Sequence, residues 1–138
     1  MALIYDTGPL YAALDRDDAR HTAYVELLTE TPEELLVPAP GVVELDRLAG
    51  TTRIRWAVSN FLHDVETGAV RVVDLVASDY ARVRELVDEY AELRVGFIDA
   101  AVLAVVERLG ERKLATLDHR HFATVRPRHV AALELLPG

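Results

Sequence analysis

The sequence contains no cysteine. That excludes disulfides, thiolate zinc sites and cysteine nucleophiles, and it suits a reducing compartment. Long apolar runs are missing too: the charge-free stretches stop well short of the roughly 20 residues that a membrane helix needs. The apolar start, MALIYDTGPLYAAL, lacks a basic leader and is interrupted at Asp6, so it does not read as a signal peptide. The expectation is a soluble, cytoplasmic protein with no membrane partner. Basic residues are also scarce, with 15 Lys and Arg against 23 Asp and Glu and a net charge of −8. This balance weighs mildly against a nucleic-acid partner, because phosphate binding draws on excess positive charge. It does not decide the question. Total charge says little about the field over one groove, and carboxylates that hold a divalent cation become locally electropositive. Internal repeats, low-complexity runs and linkers are absent. The 138 residues are read as one domain, 1–138, large enough to bury a core without staples.

Turn signals at Gly8-Pro9, Thr31-Pro32, Pro38 to Gly41, Gly50-Thr51, Gly68 and Gly110 punctuate the chain. Between them, short apolar runs alternate with helical patterns. Strands are predicted at Ala2–Tyr5, Glu34–Val37, Ala69–Leu75, Lys113–Leu117 and Ala131–Leu136. Helices are predicted at Pro9–Leu14, at Val42–Ala49, from Ser78 onward, and across the apolar stretch Asp99–Leu109. Another is expected from a cap at Asp17 or Asp18 to Thr29, with Ala19, Ala23, Leu27 and Leu28 as its apolar stripe. A further one, Thr51–Glu66, shares Ile54, Ala57, Val58, Phe61, Leu62 and Val65 on one face. The scarce aromatics Tyr11 and Trp56 read as core residues in preference to platforms for bases. The alternation makes the fold class α/β, a parallel sheet with helices on both faces.

Certain acids stand out by position. Asp6 and Asp118 each follow an apolar strand, and open parallel sheets bind ligands outside the carboxyl ends of their strands. Asp99 opens the apolar helix, where it also suits an N-cap. Glu44 interrupts the apolar Val42-Val43-Glu44-Leu45. Singly, each has an ordinary reading as a cap, an Asx turn or a helix-edge acid. Together, crowded carboxylates repel and raise one another's pKa, a cost that a divalent cation removes. With no thiol present, hard oxygen donors point to Mg²⁺ or Mn²⁺ in preference to zinc.

The stretches Ile4-Tyr5-Asp6-Thr7-Gly8-Pro9-Leu10, Pro38-Ala39-Pro40 leading to Val43-Glu44-Leu45, Phe97-Ile98-Asp99-Ala100-Ala101-Val102-Leu103-Ala104 and Leu114-Ala115-Thr116-Leu117-Asp118 through Phe122 occur in one order along nearly the whole chain. The ordered set resembles the PIN-domain family, and within it the VapC-type toxins of bacterial toxin–antitoxin pairs. The resemblance implies a PIN-like three-layer sandwich, with a short, mostly parallel sheet flanked by helices. It also implies a metal-dependent endoribonuclease whose acidic quartet is Asp6, Glu44, Asp99 and Asp118. Thr7 and Thr116 match hydroxyl positions that steady the carboxylates. A homodimer and a small cognate antitoxin covering the site are implied as well. Asp46 reads as a solvated helix acid, and His121 as a loop histidine in preference to a ligand.

On this reading water attacks the phosphodiester, so products carry a 5′-phosphate and a 3′-hydroxyl. Asp6 and Asp99 take the principal ligand roles, with Glu44 and Asp118 in support. Arg120, and then Arg47, are the first choices for contact with the RNA backbone. The acids alone do not separate RNA from DNA or from small phosphoesters, so a DNA nuclease or phosphatase stands as one alternative. A non-catalytic binding module stands as another.

Overall fold

The computed structural model describes residues 1–137. Five strands, β1 (Ala2–Tyr5), β2 (Glu34–Pro38), β3 (Arg71–Val73), β4 (Lys113–Ala115) and β5 (Glu134–Leu136), form one sheet in the order β3-β2-β1-β4-β5. Every pairing is parallel, so the sheet is wholly parallel where a mostly parallel one was expected. The helices are α1 (Thr7–Leu14), α2 (His21–Glu30), α3 (Ala39–Ala49), α4 (Arg55–Thr67), α5 (Ala77–Glu89), α6 (Phe97–Leu109) and α7 (His119–Thr124).

The central strand β1 is buried along its whole length. Its side chains alternate between the two faces, as pleating requires. Ala2 and Ile4 join Leu36, Leu114 and the apolar run of α6 in one core. Leu3 and Tyr5 join Leu10, Leu45, Val58 and Phe61 from α1, α3 and α4 in the other. This two-faced burial produces the layered α/β sandwich expected from the sequence. Ala100 to Val106 of α6 are buried without interruption. Among the described residues, no helix is long and apolar enough to cross a membrane.

The chain runs outward from β1 to β2 and β3, then crosses back to β4 and β5 on the other side. A switch point therefore lies between β1 and β4, where ligands of such sheets bind beyond the strand ends. Tyr5 lies opposite Ala115 in this pairing, so the residues that follow, Asp6 and Thr116, emerge side by side. The backbone N–H of Asp6 donates to the Ala115 carbonyl at 3.0 Å and closes the pairing.

Several predicted boundaries move. Helix α2 starts at His21, because Asp15 and Asp18 accept the backbone N–H groups of Asp17 and Arg20 and make local turns in place of a cap. Ala19 and Ala23 are exposed, and the residue that anchors this helix is Tyr24. Helix α3 starts at Ala39, since Pro40 fits a first turn whose N–H groups need no partner. Residues 51–54 form a turn before α4, and Leu62 faces outward. Trp56 is exposed as well and is not a core residue. Strand β4 ends at Ala115, and the short helix α7 follows Asp118, where the sequence suggested only a loop.

Tyr24 ties α2 to the sheet. Its hydroxyl donates to the Thr116 carbonyl at 3.1 Å, while its own carbonyl accepts from the Tyr5 hydroxyl at 3.1 Å. Tyr24→Phe strips the Thr116 carbonyl of this donor and should lower stability by about 1–2 kcal/mol. Urea denaturation should show a lower midpoint at an unchanged slope.

Candidate metal centre

Asp6 follows β1 directly and caps α1. Its Oδ1 accepts the Thr7 backbone N–H at 2.8 Å. Its Oδ2 accepts the Thr116 hydroxyl at 3.1 Å. The same Thr116 oxygen accepts the backbone N–H of Asp118 at 3.0 Å. One buried hydroxyl thus fixes both strand-end acids, a geometry that suits the steadying role implied for Thr116. Thr7 differs: it serves Asp6 through its N–H, and its own buried hydroxyl has no hydrogen-bond partner. Gly8 lets α1 start close to the β4 end, since a Cβ there would stand 2.7 Å from Leu117 Cδ1.

Asp118 caps α7 by accepting the backbone N–H of His121 at 3.1 Å. The His121 ring returns to the same carboxylate, with Nδ1 2.7 Å from Asp118 Oδ2 and 3.4 Å from Asp99 Oδ2. Asp99 is not the cap of α6. Gly96 takes that position, and Asp99 lies in the first turn, where the helix dipole favours a carboxylate. Glu44, on α3, is held by Arg47 one turn later, with Nε on Oε2 at 2.9 Å and Nη2 on Oε1 at 2.5 Å. Asp46 points elsewhere and pairs with Arg55 at 2.5 Å on the surface.

Asp6, Glu44, Asp99 and Asp118 line a single cavity of about 280 Å³, together with Thr7 and Leu117. Larger hollows exist, one of about 650 Å³ bordered by α3, α5 and α6 and one of about 460 Å³ near the start of α4. Chemistry, not size, singles out the acidic cleft. Among the described residues, the His, Asp and Glu donors that approach one another most tightly are Asp99, Asp118 and His121, within 4.8 Å. Asp6 and Glu44 lie outside that triplet, on the walls of the same cleft.

The crowding registers in proton affinity. Burial, followed by the nearby charge of Asp99 and then that of Asp118, pushes the Asp6 carboxyl up to about 6 against the pull of Thr7 and Thr116. Asp99 is also raised, by burial first and by Asp118, with His121 opposing. Glu44 is lowered by its hydrogen bond from Arg47. Mutual repulsion of the hard oxygen donors that line the cleft fits a divalent cation.

The sequence picked out these acids but missed two contacts. Arg47 was assigned to RNA, yet here it serves Glu44, a spacing that helix geometry makes natural. His121 enters the site because α7 winds it back over Asp118. Arg120 is exposed beside it on the same helix.

Because folding raises the Asp6 carboxyl from 3.8 to about 6, the folded chain binds this proton more tightly than the unfolded chain. Stability therefore falls as pH rises from about 4 through 6 and stays reduced above that. Asp6→Asn, which keeps a capping side chain, should be more stable than wild type at pH 7.5 by about 1–3 kcal/mol. Denaturation across pH should show the gain vanishing near pH 4; a gain independent of pH would contradict the raised proton affinity of Asp6.

The PIN domain family model matches residues 3–126. Ribonuclease VapC26 of Mycobacterium tuberculosis is 31% identical over 125 residues, 91% of this chain and 93% of that protein. Two solved structures share the fold. VapC20 of Mycobacterium tuberculosis, a Sarcin-Ricin loop cleaving toxin, superimposes with a TM-score of 0.75 at 21% identity, over 82% of this chain and 87% of that one. A toxin–antitoxin complex from Klebsiella pneumoniae superimposes with a TM-score of 0.68 at 16% identity, over 94% of this chain and 100% of that one. With the family model matching residues 3–126 and a relative 31% identical over 91% of its length, the chain belongs to the PIN-domain family.

Proposed function

We propose that this chain, acting as one domain, is a divalent-cation-dependent endoribonuclease and the toxin of a cytoplasmic toxin–antitoxin pair. The observation that carries the catalytic part is the convergence of Asp6, Glu44, Asp99 and Asp118 on one cleft at the switch point of the sheet. The choice of RNA and of an antitoxin partner draws on the likeness to Ribonuclease VapC26 and to the Klebsiella toxin–antitoxin complex.

Asp6, Asp99 and Asp118 would hold Mg²⁺ or Mn²⁺, with Glu44 in support. When bound, the cation lowers the pKa of an attacking water and offsets charge on the phosphate. The protein supplies orientation. Thr116 and the Thr7 N–H fix both oxygens of Asp6, so this carboxylate cannot turn away from the cleft. One of the cleft carboxylates is suited to accept the proton that water loses. Arg120, exposed in the first turn of α7 next to His121, would meet the RNA backbone. Arg47 is engaged by Glu44 and is the weaker choice. Water attack leaves a 5′-phosphate and a 3′-hydroxyl.

A homodimer is part of the same reading. Val43, Tyr80, Phe97 and Val76 expose apolar surface, three of them around or beside the 650 Å³ hollow. The Tyr80 and Phe97 rings pack there, with centroids 6.2 Å apart. An apolar patch of this kind is a characteristic protein contact.

Asp6→Asn and Asp99→Asn should each lower RNA cleavage by about 100-fold or more and abolish growth arrest on expression in bacteria. Toxic variants, or a 2′,3′-cyclic phosphate on the product, would count against the mechanism. Light scattering should give twice the chain mass for wild type and one chain mass for Tyr80→Glu. A monomeric wild type would remove the dimer from the reading.

A further inference from the structure

The imidazole of His121 stands between two acids, Asp99 and Asp118. Among the described residues, the ion pairs of Asp99 and Asp118 are both with His121 and not with Lys or Arg. Its placement is built in. The backbone N–H of His121 is already held by Asp118 Oδ1, which sets residue 121 one turn into α7 and folds the ring back over the same carboxylate. The ring is about one-quarter exposed, and the two acids it contacts, Asp99 and Asp118, both line the cleft.

The spacing of these atoms matches a coordination sphere. Neighbouring ligand atoms on an octahedron with bonds of about 2.1 Å lie about 3 Å apart. Nδ1 lies 2.7 Å from Asp118 Oδ2 and 3.4 Å from Asp99 Oδ2, which bracket that separation. All of these donors fall within 4.8 Å of one another.

We propose that His121 Nδ1 is a cation ligand alongside Asp99 and Asp118, and that it tunes the site toward Mn²⁺ over Mg²⁺. The inference rests on the divalent-cation reading above and specifies which cation and which atoms. When Nδ1 carries the ring hydrogen, that N–H donates to Asp99 Oδ2 at 3.4 Å, with Asp118 Oδ2 2.7 Å away. With a cation bound, the ring hydrogen resides on Nε2 and the Nδ1 lone pair faces the metal. Mg²⁺ favours oxygen donors alone, whereas imidazole suits the later divalent metals, so a nitrogen here separates the two ions.

Electron spin-echo envelope modulation of Mn²⁺ at substoichiometric loading on the full chain reads the nitrogen directly. Wild type and His119→Ala should show ¹⁴N coupling to Mn²⁺, and His121→Ala should lose it. Calorimetry should show Mn²⁺ affinity falling about tenfold in His121→Ala, with Mg²⁺ affinity changed by less than about threefold. Mn²⁺ bound to wild type without ¹⁴N coupling would overturn the assignment while leaving the acidic site intact. Coupling that survives in His121→Ala would overturn it too. If wild type binds no Mn²⁺, both the acidic site and the histidine assignment fall.

Discussion

The parallel pairing of β1 with β4 sets Tyr5 opposite Ala115, and the acidic cleft depends on that register. Asp6 and Thr116 leave the sheet together, the Thr116 hydroxyl reaches Asp6, and the backbone of Asp118 closes onto the same oxygen. A slip of one residue would turn Tyr5 and Ala115 to opposite faces and break this linkage. Both cores hold the register in place, since β1 packs Ile4 into one and Leu3 into the other without an exposed position. The sandwich is therefore what keeps like charges close.

That closeness opposes stability. Asp6 is buried beside Asp99 and Asp118, and its carboxyl is pushed up to about 6. Two hydrogen bonds hold the carboxylate in place without cancelling the repulsion. At the cleft's other wall the protein uses a different device, and Arg47 neutralises Glu44 directly. A site whose acids Asp6, Asp99 and Asp118 have no lysine or arginine partner among the described residues is suited to a positive charge from outside. A bound cation would let a chain with a net charge of −8 offer a surface suited to phosphate. The arrangement also accounts for strain at a functional site being sustained by packing elsewhere.

Much of this was legible in the sequence because apolar runs and turn residues mark the strands. The positions of Asp6 and Asp118 followed from strand ends alone. Asp99 and Glu44 came from family resemblance, since nothing in their local patterns points to the switch point. Local competition hid the rest. Asp15 and Asp18 bind nearby N–H groups and delay α2, a choice that periodicity does not reveal. Helix α7 has too few residues for an apolar stripe to announce it, so His121 passed as a loop residue. Trp56 reads as core by type, but its face of α4 has nothing packed over it to bury it.

The central claim is that Asp6, Asp99 and Asp118 hold a divalent cation at the switch point. Anomalous diffraction from crystals of wild type soaked in Mn²⁺ tests it most directly. The expected result is an anomalous peak between these carboxylates, about 2.0–2.3 Å from at least two of them. A map with Mn²⁺ only at surface carboxylates, and an empty cleft at saturating concentration, would contradict it.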